Sequence, residues 1–389
     1  MRMVVLGAGL QGSACAYDLL QDTAVERVVL ADVREGALPP FLEPYRHDAR
    51  LERAVVDARD AAAVRSVLEG ATACMNALPY YFNFEITRIA LESRVHCSDL
   101  GGNTDIVFRQ LELDAAAREA GVSITPDCGL APGLVNVLAQ AGIAAVEAPD
   151  RVVMLVGGLP QHPTPPIDYH IVYSLEGVLD YYTTPGWVLR EGKRTTVEAL
   201  SEVQRVDFPE PVGTLEAFHT AGGLSTMAWT FEGRIRTMEY KTLRYPGHAN
   251  VMRAIRGLGL LDTDPVPIGD GTVIPRQVFI ACAEPRLRRP DARDLVALRV
   301  EVDGRRNGSP ARVVYELIDL FDETTGISAM ERTTGFSLAI TGLMQAAGTV
   351  KPGVDTPDRA VPPAPYLAEL ARRGVDVRRI ENVNAGAGP

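Results

Sequence analysis

The chain has 389 residues, a formal net charge of −11 at pH 7, 46% hydrophobic and 23% charged residues. That length exceeds what one core usually fills, so two domains are expected, and the composition is that of an ordinary globular protein. The acidic balance argues against nucleic acid or an anionic membrane surface as partner, since both demand clustered cations, and no apolar run reaches the length of a membrane span.

The opening MRMVVLGAGL carries one Arg and an apolar run broken by glycines. It lacks the small-residue cleavage site of a secretory signal, so a cytoplasmic location is expected. Arg2–Leu6 reads as a strand, Leu10–Leu20 as a helix opening on glycines and Arg27–Ala31 as a second strand. Ala54–Val56 reads as a short third strand, followed by a helix over Ala61–Leu68, a strand over Ala73–Ala77 and a helix over Phe82–Ser93. A strand over Val95–Ser98, a helix over Ile106–Ala120 and a strand over Val122–Thr125 close the series. Strands alternating with helices at this spacing predict βαβ units and a parallel sheet.

The rhythm changes near Asp127. A helix is predicted over Pro132–Ala145, then strands with irregular spacing over Arg151–Gly157, Tyr169–Tyr173, Arg194–Val197, Gly233–Tyr240, Leu295–Asp303 and Arg312–Leu320. Helices no longer separate them regularly, which predicts a mixed α+β domain. Gly326–Ala346 reverts to an amphipathic helix, with Ser328 as N-cap and Glu331 three residues on. Lys351–Pro365 is Pro-rich, Tyr366–Arg373 reads as helix, and Asn384–Pro389 is expected to be disordered. The five cysteines (Cys15, Cys74, Cys97, Cys128 and Cys282) form no CxxC pair. They read as reduced, mostly buried thiols, with no zinc site or disulfide framework implied.

GAGLQG, from Gly7 through Ala8, Gly9, Leu10 and Gln11 to Gly12, fits G-x-G-x-x-G. It follows an apolar strand and opens a helix, and Asp32 closes the second strand twenty residues after Gly12; that is the context a dinucleotide fingerprint needs. Gly7 allows the tight turn, Gly9 the close approach of backbone amides to a pyrophosphate, and Gly12 the close packing of helix on strand. A carboxylate at Asp32 accepts hydrogen bonds from both ribose hydroxyls and repels a 2′-phosphate, so NAD is the expected cofactor. Val33 and Arg34 follow it, and Arg34 leaves NADP open. Asp57, after the third strand, either reaches the adenine edge or caps a helix. Asn76, Leu78 and Pro79 sit in the loop after the fourth strand, at the cofactor edge of such sheets. Tyr80 or Tyr81 in the same loop either lines the nicotinamide or forms a hydrophobic wall. Asp99, after the fifth strand, is a substrate ligand or a cap.

DLGGNTD (Asp99–Asp105), PDCGLAPGLVN (Pro126–Asn136), GGLP (Gly157–Pro160), YKTLRYPGH (Tyr240–His248) and AMERTTGF (Ala329–Phe336) follow the glycine motif in that order. Together they resemble the saccharopine dehydrogenase-like family, with its lysine 6-dehydrogenase branch the nearest match, over nearly the whole chain. The resemblance implies an α/β fold: a Rossmann-type parallel sheet domain (residues 1–127 plus 326–389) completed by C-terminal helices. An inserted mixed α+β substrate-binding and dimerisation domain (128–325) would make the protein a homodimer or higher homo-oligomer. It also implies a reaction, the NAD-dependent oxidative deamination of the ε-amine of L-lysine to 2-aminoadipate 6-semialdehyde and ammonia.

That chemistry needs a base to keep the amine neutral, a cation for the substrate α-carboxylate and a carboxylate for its α-ammonium. Only three of the 39 basic residues are lysines. Lys241 is one of them, and a desolvated lysine beside Arg244 acts as base where arginine cannot; the alternative is a structural cation. Arg244 is the candidate carboxylate anchor or else a surface ion pair, and His248, after a Pro-Gly turn, is a weaker candidate of the same kind or simply a helix cap. His219 and Thr220 precede a glycine pair and are further catalytic candidates or a tight turn. Glu176 and Asp180, four apart on one helix face, either recognise an amine or form a solvated face. Cys128 touches the cofactor or substrate in the resemblance-based reading, or is a small buried hydrophobe. No metal site is expected. Two other functions stay open: a C–N bond-forming reductase of the saccharopine or carboxynorspermidine type, and a nucleotide-binding regulatory protein without turnover.

Overall fold

The computed structural model describes residues 1–172, 174–289 and 291–382. The aliphatic strands and glycine-opened helix near the N-terminus build β1 (Arg2–Leu6), α1 (Leu10–Gln21), β2 (Arg27–Asp32), β3 (Leu51–Val55), α2 (Ala61–Leu68), β4 (Ala73–Asn76), α3 (Asn83–Glu92) and β5 (His96–Asp99). Next come α4 (Thr104–Leu111), α5 (Asp114–Ala120), β6 (Ser123–Thr125) and α6 (Leu134–Ala144). The predicted single helix over Ile106–Ala120 is two, because the chain turns at Glu112–Leu113. The middle of the chain forms β7 (Glu147–Pro160), α7 (Leu175–Thr183), β8 (Gly186–Arg190), β9 (Lys193–Val197), β10 (Gln204–Asp207), β11 (Thr214–His219), α8 (Met227–Thr230) and β12 (Thr237–Arg244). It continues with α9 (His248–Gly257), β13 (Val266–Ile268), β14 (Gly271–Val273), α10 (Pro275–Leu287), β15 (Asp294–Arg306) and β16 (Ser309–Leu320). The chain ends in α11 (Ala329–Ala346), β17 (Gly353–Val354), α12 (Pro357–Ala360), α13 (Pro363–Arg372) and β18 (Arg378–Asn382).

Two sheets carry the molecule. The first is parallel, in the order β17-β6-β5-β4-β1-β2-β3, which places the switch in strand order beside β1, where α/β sheets take their ligands. The second is mixed, β10-β11-β12-β7-β15-β16-β18, with β8 paired to β12 and to β9. Tyr169 to Val172, predicted as strand, is not one, and Tyr173 lies outside the described residues, as does the expected disorder at Asn384–Pro389.

The C-terminal part returns to the first sheet. β17 pairs with β6, and α11 lies so close to α1 that a Cβ on Gly335 would stand 2.7 Å from Ala14 Cβ. The expected capping box is present: the Ser328 hydroxyl accepts from the Glu331 amide at 3.1 Å and Glu331 accepts from the Ser328 amide at 2.8 Å. Asp294 reinforces this end, accepting from the amides of Ala329 and Met330 at 2.8 and 2.9 Å. Residues 326–389 do not all belong with the parallel sheet, however. β18 pairs antiparallel with β16, so it extends the mixed sheet instead. Among the described residues no helix is long and apolar enough to cross a membrane.

Candidate functional site

A cleft of about 630 Å³ lies where the two sheets face each other. One wall is the glycine turn (Gly9 to Gly12) and the loops after β4 and β5; the other is β12 with part of α7. Met330 and Thr334 of α11 line it as well. A second depression of about 240 Å³ runs from Ala8 and Gly9 past Asp32 and Arg34 towards Arg53.

The glycine turn fits a dinucleotide. Gly7 has φ +96° and donates its amide to Ala31 O at 2.7 Å. A Cβ on Gly12 would stand 1.8 Å from Gly7 O, whereas a Cβ on Gly9 would meet no atom within 4 Å. Gly12 is thus required by the fold itself. The space beside Gly9 is open, where a pyrophosphate approaches the amino end of α1. Asp32 accepts from the Ala8 amide at 2.8 Å and from the Arg34 amide at 3.4 Å, so the carboxylate is fixed between turn and strand end. Among the expected cofactor residues, Ala8, Gly9, Leu10, Gln11, Gly12, Asp32, Arg34, Leu78 and Pro79 line these two spaces.

Four others do not. Gly7 is buried behind the turn it makes. Asn76 is buried too, donating to Asn83 Oδ1 at 2.9 Å and accepting from the Leu78 amide, so it shapes the loop. Val33 is exposed and lines neither space. Asp57 is taken by Arg59, whose guanidinium and amide hold its carboxyl down at about 2. It neither lines the nucleotide groove nor caps a helix, because Asp60 is the N-cap of α2.

Along β12, side chains alternate between the two faces of the sheet. Tyr240, Thr242 and Arg244 line the cleft, whereas Lys241 points to the opposite face. There its ammonium donates to Glu202 O and Gln204 Oε1, both at 3.1 Å. The expected catalytic lysine is therefore corrected to a structural cation. Burial pulls its pKa down, with Glu239 and Glu202 opposing, and the guanidinium groups in its neighbourhood are Arg190 and Arg151 rather than Arg244. His219 faces the same way, 3.0 Å from Glu202 and 3.7 Å from Glu239. Glu202, His219 and Glu239 have ligand atoms within 4.8 Å of one another, but Arg190 bridges the two carboxylates at 2.9 and 2.7 Å. Two cations already balance two anions in this cluster. Lys241→Met is expected to leave kcat unchanged and to lower the melting temperature. Removing one partner of a buried pair costs about 3–5 kcal/mol, and less here because Glu202 is half exposed. A loss of kcat in folded protein, measured by steady-state kinetics beside a thermal melt, would return Lys241 to the chemistry.

Three further expectations change. Asp99 is a structural hub: it accepts from Asn83, Gly101 and Asp127 on one oxygen and from Gln110 on the other at 2.7 Å. Being fully buried behind the loops, it is no substrate ligand. Cys128 lies behind the cleft wall with its thiol donating to Thr125 O at 3.1 Å, and burial pushes that thiol up, away from reactivity. Thr220 supports the cleft at one remove, its hydroxyl 2.7 Å from that of Thr242. Tyr80 does line the cleft, as do Glu176 and Asp180 of α7, and Arg276 pairs with Asp180 at 2.5 Å.

Arg244 is buried at 3% exposure and its guanidinium carbon stands 4.8 Å above the Tyr169 ring. Nη1 donates to Leu243 O at 2.8 Å and Nε to the Tyr182 hydroxyl at 3.1 Å. A cation set into the wall of a mostly apolar cleft is the arrangement that recognises a carboxylate.

Asp127 was passed over in the sequence although it sits inside PDCGLAPGL. It is buried with φ +63°, accepts from the Ser225 hydroxyl, and its Oδ1 has no hydrogen-bond partner. Burial, with Asp99 and Asp358 nearby, pushes it up to about 7. A raised carboxyl contributes stability that is complete below the unfolded value near 3.8 and is lost as pH rises to about 7. Asp127→Asn keeps an acceptor for Ser225 and removes that loss. Its gain in stability over the parent is expected to grow between pH 4 and 7, by roughly 1.4 kcal/mol per pH unit at most, and then to level off. Denaturant melts across that range check it; a difference independent of pH contradicts the assignment.

Residues 3–125 match the saccharopine dehydrogenase NADP binding domain family and residues 129–375 the saccharopine dehydrogenase C-terminal domain family. The chain is 24% identical over 276 residues to mouse mitochondrial alpha-aminoadipic semialdehyde synthase, covering 68% of this chain and 29% of that protein. It is 22% identical over 282 residues to a Pyricularia oryzae saccharopine dehydrogenase [NADP(+), L-glutamate-forming], covering 68% and 59%. The match thus spans less than two thirds of either relative. Apo saccharopine dehydrogenase (L-Glu forming) from Saccharomyces cerevisiae shares the fold, with TM-score 0.78 at 18% identity over 98% of this chain and 99% of that one.

Proposed function

The chain belongs to the saccharopine dehydrogenase family, and we propose that it is an NAD-dependent oxidoreductase that deaminates the ε-amine of L-lysine. The observation that carries this reading is Arg244, buried in the cleft wall across from the glycine turn with carboxylates of α7 lining the same space. One end of such a cleft suits an α-carboxylate, and Glu176 and Asp180 suit an ammonium group.

The glycine turn and Asp32 hold the dinucleotide, which when bound accepts the hydride from the substrate Cε. The matched domain family is described by NADP, but Asp32 supports NAD here, because a carboxylate held beside the ribose repels a 2′-phosphate. Arg244 orients the amino acid through its carboxylate. Glu176 holds ammonium protons on its carboxylate oxygens beside Asp180, which is already paired with Arg276, while Tyr80, Tyr181 and Met330 line the cleft around the substrate. Glu176 accepts a proton from the amine as Cε loses hydride, water then adds to the imine carbon, and return of that proton to nitrogen lets ammonia leave, with the hydroxyl proton passing to solvent and 2-aminoadipate 6-semialdehyde as product.

A second reading, a reductase joining an amine to an aldehyde carbon, is favoured by one observation. The cleft runs into an adjoining space of about 260 Å³ with Tyr80, Gly102, Asp180, Tyr181 and Ala221 shared between the two, room for a longer substrate. Protein incubated with L-lysine and either NAD or NADP, followed at the NADH band with ammonia assayed in parallel, tests the first reading. Reduction of NAD with stoichiometric ammonia supports it. No reduction with lysine, but reduction with saccharopine and release of glutamate, transfers the protein to the second.

A further inference from the structure

Behind Arg244 runs a line of hydrogen bonds that ends on the backbone. Arg244 Nε lies 3.1 Å from the Tyr182 hydroxyl, which lies 3.0 Å from His248 Nε2; His248 Nδ1 lies 2.9 Å from Ile167 O. The proton positions follow from what each group is able to do. The Ile167 carbonyl only accepts, so Nδ1 carries the ring proton. A guanidinium only donates, so the phenol oxygen accepts from Arg244. The phenol proton is left for Nε2, the one unprotonated ring nitrogen. Along this line each donor therefore points from Arg244 towards the Ile167 carbonyl.

The chain of contacts joins three elements, α7 through Tyr182, β12 through Arg244 and the start of α9 through His248. All three side chains are buried to 3% exposure or less. Phe218 stacks on the His248 ring at an interplanar angle of 5°, and Tyr169 covers the guanidinium. Burial, with Arg244 nearby, pushes His248 down to about 3, which keeps its ring neutral and Nε2 an acceptor.

We propose that Tyr182 and His248 are positioning residues that hold the Arg244 guanidinium in a single orientation for a substrate carboxylate, and so set the preference for amino acids over simple amines. This rests on the amino-acid reading given above. An arginine left to itself loses rotamer freedom when it binds; one already locked from behind does not, and the ligand binds more tightly for it.

The test compares L-lysine with 1,5-diaminopentane, the same amine without the carboxylate, in kinetics and in binding to the NADH complex followed by nicotinamide fluorescence. Tyr182→Phe keeps the ring and deletes one hydroxyl. It is expected to raise KM and Kd for L-lysine about tenfold, with kcat, NADH affinity and the diamine little changed. His248→Gln, which retains an acceptor, is expected to fall between parent and His248→Phe. If parent protein prefers L-lysine and Tyr182→Phe keeps that preference, or loses affinity for both ligands alike, the positioning role is overturned while the amino-acid reading stands. If parent protein shows no preference for the carboxylate, the amino-acid reading falls and the positioning role with it.

Discussion

Arg244→Met is expected to raise KM for L-lysine by roughly a hundredfold or more, since truncating one member of a buried charged pair costs about 2–5 kcal/mol. The residue is buried in the wall of the cleft, so a carboxylate bound there is shielded from water and gains more from the guanidinium than an exposed pair would. NADH affinity is expected to stay at the parental level, because the glycine turn lies on the opposite wall. Arg244→Lys should restore little. An ammonium is a point charge on a flexible stem, and it cannot keep both the Tyr182 hydroxyl and the Leu243 carbonyl while presenting a planar edge to a carboxylate. Steady-state kinetics, NADH titration and a thermal melt on the same preparations check the split. Unchanged KM in a folded Arg244→Met protein would remove the amino-acid reading at its base.

The second large effect separates two glycines of one motif. Gly9→Ala is expected to weaken NADH binding by roughly 10- to 100-fold, about 1.4 kcal/mol per tenfold, with the melting temperature of the apo protein unchanged. Its backbone lies at φ −76°, a conformation any residue adopts, and a Cβ would project into open space. Only a bound pyrophosphate would meet it. Gly12→Ala is expected to behave in the opposite way. Its Cβ would fall 1.8 Å from Gly7 O and 3.2 Å from Ala77 Cβ, so α1 must shift off the sheet and the apo protein itself loses stability. Calorimetry of apo protein and fluorescence titration of NADH distinguish the pair. A Gly9→Ala protein that binds NADH normally would place the pyrophosphate elsewhere.

Much of the architecture could be read from residue order. The alternation of apolar strands and helices up to Thr125 reports a parallel sheet because strands buried on both faces must be apolar, and helices must carry the chain back. The cap at Ser328 and Glu331 was legible for the same kind of local reason. β8, β10 and β11 were missed; each is only four to six residues long, too short for a clear period, and β10 is mostly exposed as well. Their pairing partners, not their own composition, make them strands. α9 and α10 were missed too: α9 buries only a few of its residues, and α10 leaves apolar residues such as Val278 exposed and has Pro285 inside it.

The chemistry divides along the same line. The nucleotide end of the site is a local pattern, a turn, a helix start and a carboxylate at a strand end, so Gly7 to Gly12 and Asp32 declare it without knowledge of the rest. The substrate end is different. Lys241 and Arg244 lie three residues apart, and nothing in their order says which of them faces the dinucleotide. A strand's two-residue period sends them to opposite faces, and the register of β12 between β11 and β7 picks which face meets the parallel sheet. Tyr182 and His248 stand 66 residues apart and become neighbours only when α7 and the start of α9 pack over Phe218. Short-range sterics and hydrogen bonding write the first kind of site into the chain; the second exists only once distant segments have packed.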